Sequence, residues 1–367
     1  MKTFDITYLV TLQHEEEIDQ KIEGICLEQS TELPRSVISG EIETKVVGNL
    51  SSKEQLGDTS WKISISWPLK NVGNDISQFI NILYGNISLQ PGIKVIVAEW
   101  EKLNGSFFNG PSFGIEGLRE MTGVSDHALS CTALKPLGSS VNELADFCYQ
   151  FALGGIDIIK DDHGLANQEY APFSDRVKAC VNALERAAEK TGKRSLYFPN
   201  ITALASDSIK RYELAAELGA DGVLICPHIA GLETMHQLAG MNIELPILGH
   251  PAFSGSLTTV DSKGLSPDFL YGELWRALGA DGIIFPNKDG RFSFSKKECQ
   301  DIVNAARSEK LPFKKSFPVP GGGIKRSTVT DWLESYGTDT IFLIGGSLYE
   351  HPEGLKVAAE EFGAMLK

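Results

Sequence analysis

Hydrophobic and polar positions follow one repeating order over the C-terminal two thirds of the chain. From about residue 128, a short apolar run leads into a loop marked by Gly, Pro or Asp, and then into an amphipathic stretch. The strand-like runs are ALSCTALKP, IDIIKDD, SLYFPNI, DGVLICPH, LPILGHP, DGIIFPN, KKSFPVPGGG and DTIFLIGGS. Helical stretches between them include VNELADFCYQFALGG, DRVKACVNALERAAEKTG, DSIKRYELAAELG, SPDFLYGELWRALG, SKKECQDIVNAARSE and TVTDWLESYG.

This alternation predicts an α/β fold with a closed barrel. Strands that are apolar on both faces and are each followed by a helix indicate a parallel sheet covered by helices. Eight such units predict a (β/α)8 TIM barrel over residues 128–367. An open doubly wound sheet is the alternative. It is disfavoured because the first unit lacks a GxGxxG turn and because polar residues end nearly every strand.

The first 127 residues lack this alternation. They contain strand-like ITYLVTL, ETKVVGNL and WKISISWPL, and helical EEEIDQKIEGICLEQS and QFINILYG. We predict a small α+β (ferredoxin-like) N-terminal domain over residues 1–127. The Gly-rich stretch KLNGSFFNGPSFGIEGLREMTGVS is predicted to link it to the barrel.

Composition narrows the class of ligand and the compartment. With 42% hydrophobic and 22% charged residues, the 367-residue chain has the balance of a soluble globular protein. A net charge of −14 without any Lys/Arg run argues against nucleic-acid or membrane partners and favours a small molecule. The N-terminus lacks signal-peptide features, so we expect a cytoplasmic protein. Six dispersed cysteines without CxxC pairs predict reduced, buried thiols.

Ionisable residues cluster at the predicted mouth end of the second barrel strand, in the segment Lys160-Asp161-Asp162-His163. Alternation along a strand sends Lys160 and Asp162 to the same side. An unpaired ammonium inside the barrel is costly, so Lys160 needs a carboxylate partner, a lowered pKa or covalent modification. A plain Lys–Asp ion pair closing the mouth explains the same residues without catalysis, and the residues alone leave both interpretations open.

This segment also carries a family resemblance. GGIDIIKDDH resembles the GGxDxxKDDE motif of the RuBisCO large subunit and its non-carboxylating relatives. The segments EQST, YGN, FNGPSFGI, TALKP, ILGH, PGGGI and IGGS resemble other family motifs in the same order. The resemblance spans almost the whole chain, and several ordered motifs are far more specific than any single one.

The resemblance implies roles for the residues at the barrel mouth. Lys160 would react with CO2 to form a carbamate, which would bind Mg2+ together with Asp162 and the next position. That position departs from the carboxylases, because His163 stands where they have Glu. Imidazole binds Mg2+ poorly. Three roles therefore stay open for His163: a metal ligand, a proton carrier in the reaction, or a loop histidine without a chemical role. Lys135 would transfer protons during enolisation, and His250 would be the fifth-strand histidine of the site.

Glycine turns after the last two strands predict a phosphate site, because glycine lets backbone N–H groups converge on an anion. The residues are Gly322, Gly323, Gly345 and Gly346, and each taken singly could be a mere tight turn.

The opposite side of the site departs from the carboxylases. Pro251, Ile284 and Gly321 stand where the resemblance expects the Arg, His and Ser that hold a second phosphate and neighbouring hydroxyls, so a monophosphate with a less polar far end fits better than a bisphosphate. Leu137, after Pro136, stands where the resemblance expects a second lysine that assists CO2 addition, so CO2 fixation is not expected. In the sixth-strand loop, Lys288 and Arg291 could bind substrate or be solvated loop charges.

Three functions follow from the resemblance. The first is Mg2+-assisted enolisation or proton transfer on a ketose monophosphate, of the 5-methylthioribulose-1-phosphate isomerase or enolase type. The second is decarboxylation of a phosphorylated 3-oxo sugar acid. The third, a non-catalytic binding barrel, is disfavoured because it has no need for buried charges around its mouth. We expect the first. The resemblance also implies a homodimer in which Glu28 and Asn86 of one subunit complete the barrel mouth of the other.

Overall fold

The computed structural model describes residues 2–103, 107–292 and 294–367. The strands of these residues are β1 (Thr3–Thr11), β2 (Asn49–Gln55), β3 (Ser60–Pro68), β4 (Ile93–Ala98), β5 (Leu129–Leu134), β6 (Ile158–Asp161), β7 (Leu196–Phe198), β8 (Val223–Ile225), β9 (Ile247–Gly249), β10 (Gly264–Leu265), β11 (Gly282–Pro286), β12 (Phe317–Gly321) and β13 (Ile341–Ile344). The helices are α1 (Ile18–Glu28), α2 (Gly40–Val46), α3 (Ile76–Tyr84), α4 (Trp100–Leu103), α5 (Gly114–Thr122), α6 (Val141–Leu153), α7 (Phe173–Thr191), α8 (Ala205–Glu217), α9 (Pro227–Ala230), α10 (Leu232–Ala239), α11 (Gly255–Thr258), α12 (Trp275–Ala277), α13 (Lys296–Ala306), α14 (Val329–Tyr336), α15 (Gly346–Tyr349) and α16 (Leu355–Met365).

Two compact units make up the chain. Unit 1 comprises Met1–Phe108, Ser254–Leu270 and Lys310–Pro312, and unit 2 comprises Asn109–Phe253, Tyr271–Glu309 and Phe313–Lys367. The domain boundary expected from the sequence, between residues 127 and 128, stays a prediction.

Unit 1 is built on a five-stranded sheet in the order β10-β4-β1-β3-β2. Its centre, β1, pairs antiparallel with β3 and with β4. Alternate residues of β1, namely Phe4, Ile6, Tyr8 and Val10, are buried on one face of the strand, as its two-residue period requires. The ring of Phe79 from α3 lies 6.2 Å from that of Phe4. This unit is the predicted separate N-terminal α+β structure.

Unit 2 is the predicted barrel. Its eight strands are parallel, in the order β7-β6-β5-β13-β12-β11-β9-β8. A parallel bridge between Asn200 and Leu224 joins the two ends of this sheet and closes the ring. The (β/α)8 architecture is therefore confirmed.

The barrel interior is apolar below its mouth. The strands are short and almost wholly buried, because one face meets the interior and the other meets the helices. Strand residues of this core are Leu129, Cys131, Ile158, Leu196, Phe198, Leu224, Leu248, Ile284, Phe317, Val319 and Ile341. All six cysteines are free and buried. In the described part of the chain, no helix combines the length and apolar character that crossing a membrane requires.

Three local interpretations of the sequence need correction. The segment ETKVVGNL was expected to be a strand, but its first four residues end helix α2, which Ser39 caps by accepting a hydrogen bond from the Ile42 N–H. The expected linker contains helix α5, and Asp281 accepts hydrogen bonds from the backbone at Phe113 and Gly114, where α5 begins. Residues 104–106 of that linker lie outside the described residues. Strand β4 (IKVIVA) was not among the expected strands.

Candidate active site

Ionisable side chains from three strands meet at the carboxyl ends of the barrel strands. Lys135 follows β5, Lys160 lies on β6, Asp162 follows β6, and His250 follows β9. In a barrel of parallel strands these ends all lie on the same rim. Segments more than a hundred residues apart along the chain therefore contribute to one cluster.

The Lys135 ammonium and the Asp162 carboxylate form an ion pair in this cluster. Burial opposes ionisation of Asp162, but the neighbouring His163 ring and the Lys135 ammonium outweigh it and hold the pKa of Asp162 well below its usual range. The backbone of Lys135 is itself fixed, because its N–H donates to the Tyr349 hydroxyl at 2.9 Å. That hydroxyl in turn donates to the Ala133 carbonyl at 3.0 Å.

Lys160 is only 2% exposed. Its ammonium donates a 3.1 Å hydrogen bond to the Asp161 carbonyl rather than to a carboxylate. Burial lowers the pKa of Lys160, and the charge of Lys135 acts in the same direction, whereas Asp162 partly opposes them. A larger fraction of Lys160 is therefore in the neutral amine form, which is the nucleophilic form, than in an exposed lysine.

Asp161, next to Lys160 in the chain, has a structural role and does not face the barrel mouth. Its carboxylate forms a fully buried ion pair with Arg176 at 3.0 Å and accepts a 2.7 Å hydrogen bond from the Tyr197 hydroxyl. It also accepts from the backbone N–H of Asn200, whose side chain donates to the His163 carbonyl. These contacts tie the β6 loop to β7 and orient the residues that follow Asp161.

Two imidazoles stack above this cluster. The rings of His163 and His250 are 4.4 Å apart and nearly parallel, at 9°. His163 Nδ1 lies 3.6 Å from Asp162 Oδ1. His250 Nδ1 accepts from the Ala252 N–H at 3.2 Å, which leaves its Nε2 as the protonated nitrogen of a neutral ring. Burial and the charge of Lys160 hold the pKa of His250 well below its usual range, so His250 stays neutral beside His163.

The first glycine turn follows β12. Gly322 and Gly323 have φ angles of +72° and +91°, which favour glycine. A Cβ atom at position 323 would lie 2.6 Å from the backbone nitrogen of Gly290, so this turn packs against the loop after β11. That loop carries Lys288 and Arg291, both exposed to solvent.

The second glycine turn follows β13. A Cβ atom at position 345 would lie 3.9 Å from Cε of Lys135, and one at Gly346 would meet nothing within 4 Å. Gly345 therefore lies beside the lysine that pairs with Asp162, and Gly346 borders open space. An anion in that space would be close to the stem of Lys135.

Glu28 and Asn86 lie in unit 1. The Asn86 side-chain amide donates to the Glu28 carboxylate at 3.0 Å. Gln29, next to Glu28, accepts from the Ile87 N–H and donates to the carbonyls of residues 81 and 82. The two predicted residues are thus held together, and their role in a neighbouring subunit stays a prediction.

Tyr349 and Asn200 position the site but were not predicted from the sequence. Tyr349 belongs to the segment SLYEH after the second glycine turn, and its ring contacts Phe147 and Phe151. Neither Tyr349 nor Asn200 belongs to a sequence motif that indicates a role in the site. Their contacts could therefore not be predicted from the sequence.

Similarity to known proteins agrees with this geometry. The family model described as ribulose bisphosphate carboxylase large chain, catalytic domain, matches residues 114–364. The 5-methylthioribulose-1-phosphate isomerase of Rhodospirillum rubrum is 35% identical over 349 residues, which cover 95% of this chain and 92% of the relative. The 2,3-diketo-5-methylthiopentyl-1-phosphate enolase of Geobacillus thermodenitrificans is 33% identical, covering 100% and 92%. The crystal structure of a RuBisCO-like protein from Rhodopseudomonas palustris has a TM-score of 0.89 at 32% identity, covering 100% and 98%.

Proposed function

The chain belongs to the RuBisCO large-chain family, and from that membership we propose that it transfers a proton next to the carbonyl of a ketose monophosphate without fixing CO2. The substrate is 5-methylthioribulose 1-phosphate or the related diketone phosphate, on which the isomerase and enolase relatives act by name. The observation that carries the proposal is the position of Lys135. Its ammonium contacts Asp162 while its stem lies beside the Gly345 turn. One proton-transfer group thus adjoins both a charged centre and a candidate phosphate turn.

The family's Mg2+ fits these residues as a site with two protein ligands. A carbamate on Lys160 and the carboxylate of Asp162 would supply the hard oxygen donors that Mg2+ prefers, with water or substrate oxygens completing the shell. The described residues contain no cluster of three or more His, Cys, Asp or Glu side chains suited to a metal. When bound, Mg2+ would polarise the substrate carbonyl.

Proton transfer is assigned to Lys135 and His163. To act as the base, Lys135 must first release a proton from the ammonium that pairs with Asp162, and as the free amine it would then take the proton from the carbon next to the carbonyl. The ionised Asp162 would stabilise the ammonium that forms again. His163 is half-exposed and lies between Asp162 and His250, where it could return a proton at the neighbouring atom. We therefore place His163 outside the metal shell. His250 would remain neutral and bind a substrate oxygen.

Phosphate recognition is assigned to the two glycine turns, at Gly322, Gly323, Gly345 and Gly346. Lys288 and Arg291 would contribute positive charge from the loop after β11, which packs against the Gly323 turn. Apolar Leu137 supplies no ammonium close to Asp162, which favours a reaction without CO2 addition. It is half-exposed, and a Cβ atom at Gly164 would lie 3.1 Å from Leu137 Cδ1 and 3.7 Å from Asp162 Oδ2. A second phosphate would lose hydration without gaining a charged partner, because Pro251, Ile284 and Gly321 carry no charged side chain.

The proton transfer is tested by deuterium wash-in. We expect the enzyme to exchange the proton next to the carbonyl of 5-methylthioribulose 1-phosphate with D2O, as measured by NMR. Lys135→Met should slow exchange by about 10²- to 10⁴-fold, because a general base is lost. Lys210→Met removes an exposed ammonium on α8 and should exchange at the wild-type rate. Undiminished exchange in Lys135→Met would exclude this base. Release of CO2 from a phosphorylated 3-oxo acid, without any wash-in, would instead establish the decarboxylase alternative.

The metal assignment is tested by thermal unfolding. Bicarbonate and Mg2+ together should raise the wild-type Tm, because carbamate and metal bind only the native protein. Lys160→Ala should show no such increase. An equal increase in both proteins would show that the stabilisation does not come from Lys160.

A further inference from the structure

A single carboxylate joins the loops that carry the two glycine turns. Glu361, on helix α16, accepts a hydrogen bond from the guanidinium of Arg326, which follows Gly323 by three residues. The same oxygen, Oε2, lies 3.3 Å from Nε2 of His351, which belongs to the loop after the second turn. His351 Nδ1 accepts from the Glu353 N–H at 3.2 Å, so Nε2, the nitrogen near Glu361, carries the proton in the neutral ring.

The strands beneath these turns are weakly paired. Within the described residues, β12 and β13 share one registered pair, Gly321 with Leu343. By contrast, β11 shares five pairs with β12, and β13 shares four with β5. Backbone pairing alone therefore holds the two turns relative to each other less firmly than it holds either strand to its outer neighbour.

Each turn is anchored on its outer side. The Gly323 turn packs against the backbone of Gly290, in the loop after β11. The second turn leads into Tyr349, whose hydroxyl bonds to the backbone of β5 and of Lys135. The contacts of Glu361 run across the weakly paired boundary, from Arg326 on one side to His351 on the other.

We propose that Glu361 is a positioning residue that sets the spacing of the two glycine turns and thereby the affinity of the site for the substrate phosphate. The inference rests on the proposed assignment of these turns to phosphate. Convergent N–H donors bind an anion strongly only when their spacing is fixed before the anion arrives, and a shift of about 1 Å is enough to weaken such a site. Glu361 is half-exposed and lies on the helix layer, so it acts through the loops and not on the substrate.

The test compares Glu361→Ala and Glu361→Gln with Glu360→Ala, a matched control one residue away whose carboxylate pairs with Lys356 on the same helix. Inorganic phosphate is the binding probe, and 5-methylthioribulose 1-phosphate is the substrate. We expect Glu361→Ala to raise the phosphate Kd and KM by about tenfold while kcat changes by less than about threefold, because the phosphate does not take part in the proton transfer. Glu361→Gln keeps an acceptor oxygen and should lie between wild type and Glu361→Ala. Glu360→Ala should match wild type.

The outcomes separate this inference from the proposed function. A wild-type protein that binds no phosphate and exchanges no substrate proton would overturn the assignment of the site itself. If wild type binds phosphate and Glu361→Ala binds it equally well, the positioning role is excluded and the site assignment stands. If Glu361→Ala unfolds at the assay temperature, Glu361→Gln decides. This variant preserves the side-chain volume, and a wild-type phosphate Kd for it would exclude the role.

Discussion

At the scale of single residues, His228 makes a pH-dependent contribution to stability that can be isolated by mutation. The residue follows β8, and its ring centroid lies 5.9 Å from that of Trp275. Its Nε2 is buried and has no hydrogen-bond partner among the described residues. Burial lowers the pKa of His228 from 6.5 to about 4. Protonation is therefore disfavoured in the folded state relative to the unfolded state.

The sign of the effect follows from proton uptake. Between about pH 6.5 and pH 4 the unfolded chain binds the proton and the folded chain does not, so stability is lost as the pH falls through this window. We expect His228→Gln to lose less of its free energy of unfolding over this range than wild type, by up to about 3 kcal/mol. Chemical denaturation at pH 7 and pH 4.5 measures the difference. His14→Gln, at a highly exposed histidine, should leave the wild-type pH dependence unchanged.

At the scale of elements, the glycine turns offer a matched pair of substitutions. Gly323→Ala would place a Cβ atom 2.6 Å from a backbone nitrogen at a φ of +91°, so the two loops must separate. We expect a loss of about 1–3 kcal/mol in the free energy of unfolding, together with weaker phosphate binding. Gly346→Ala meets open space and should preserve stability while weakening phosphate binding alone. Wild-type phosphate affinity in a stable Gly346→Ala protein would remove Gly346 from the site.

At the scale of the whole molecule, the barrel mouth is rimmed with exposed apolar side chains. In the described part of unit 2, the large hydrophobic residues that are exposed all lie on loops or short helices after barrel strands. They are Leu137, Tyr170, Leu204, Ile229, Phe253 and Phe292. Among the described residues, the two loops with glycine turns carry no exposed large hydrophobic side chain. Exposed apolar side chains gathered at one end of a barrel are typical of a face that a partner covers, and the predicted homodimer would supply such a partner.

The dimer prediction is tested by sedimentation. We expect wild type to sediment as a homodimer, and a double substitution, Leu204→Asp with Phe253→Asp, to shift it toward monomer by placing unpaired charges in the interface. Asp126→Lys, which precedes β5 at the amino end of the barrel strands, changes the charge away from the mouth and should remain dimeric. A stable, active wild-type monomer would refute the requirement for Glu28 and Asn86 from a second subunit.

The sequence alone determined the barrel, since each βα unit is encoded locally by its hydrophobic period and its turn residues. It also placed Lys160 and Asp162 at the mouth, since strand alternation is a local property. Short apolar segments fit both a helix and a strand by their hydrophobic pattern. ETKVVGNL reads as a strand until the cap at Ser39 and the acidic first turn of α2 are recognised.

Only the tertiary structure decided which side chains meet. The Lys135–Asp162 ion pair, the stacking of His163 on His250 and the carboxylate of Glu361 between two loops join segments that no local pattern links. Closure of the barrel brings these strand ends onto one rim. The burial that results sets the pKa values of Lys160 and His250, because desolvation depends on every neighbour in space and not on neighbours along the chain.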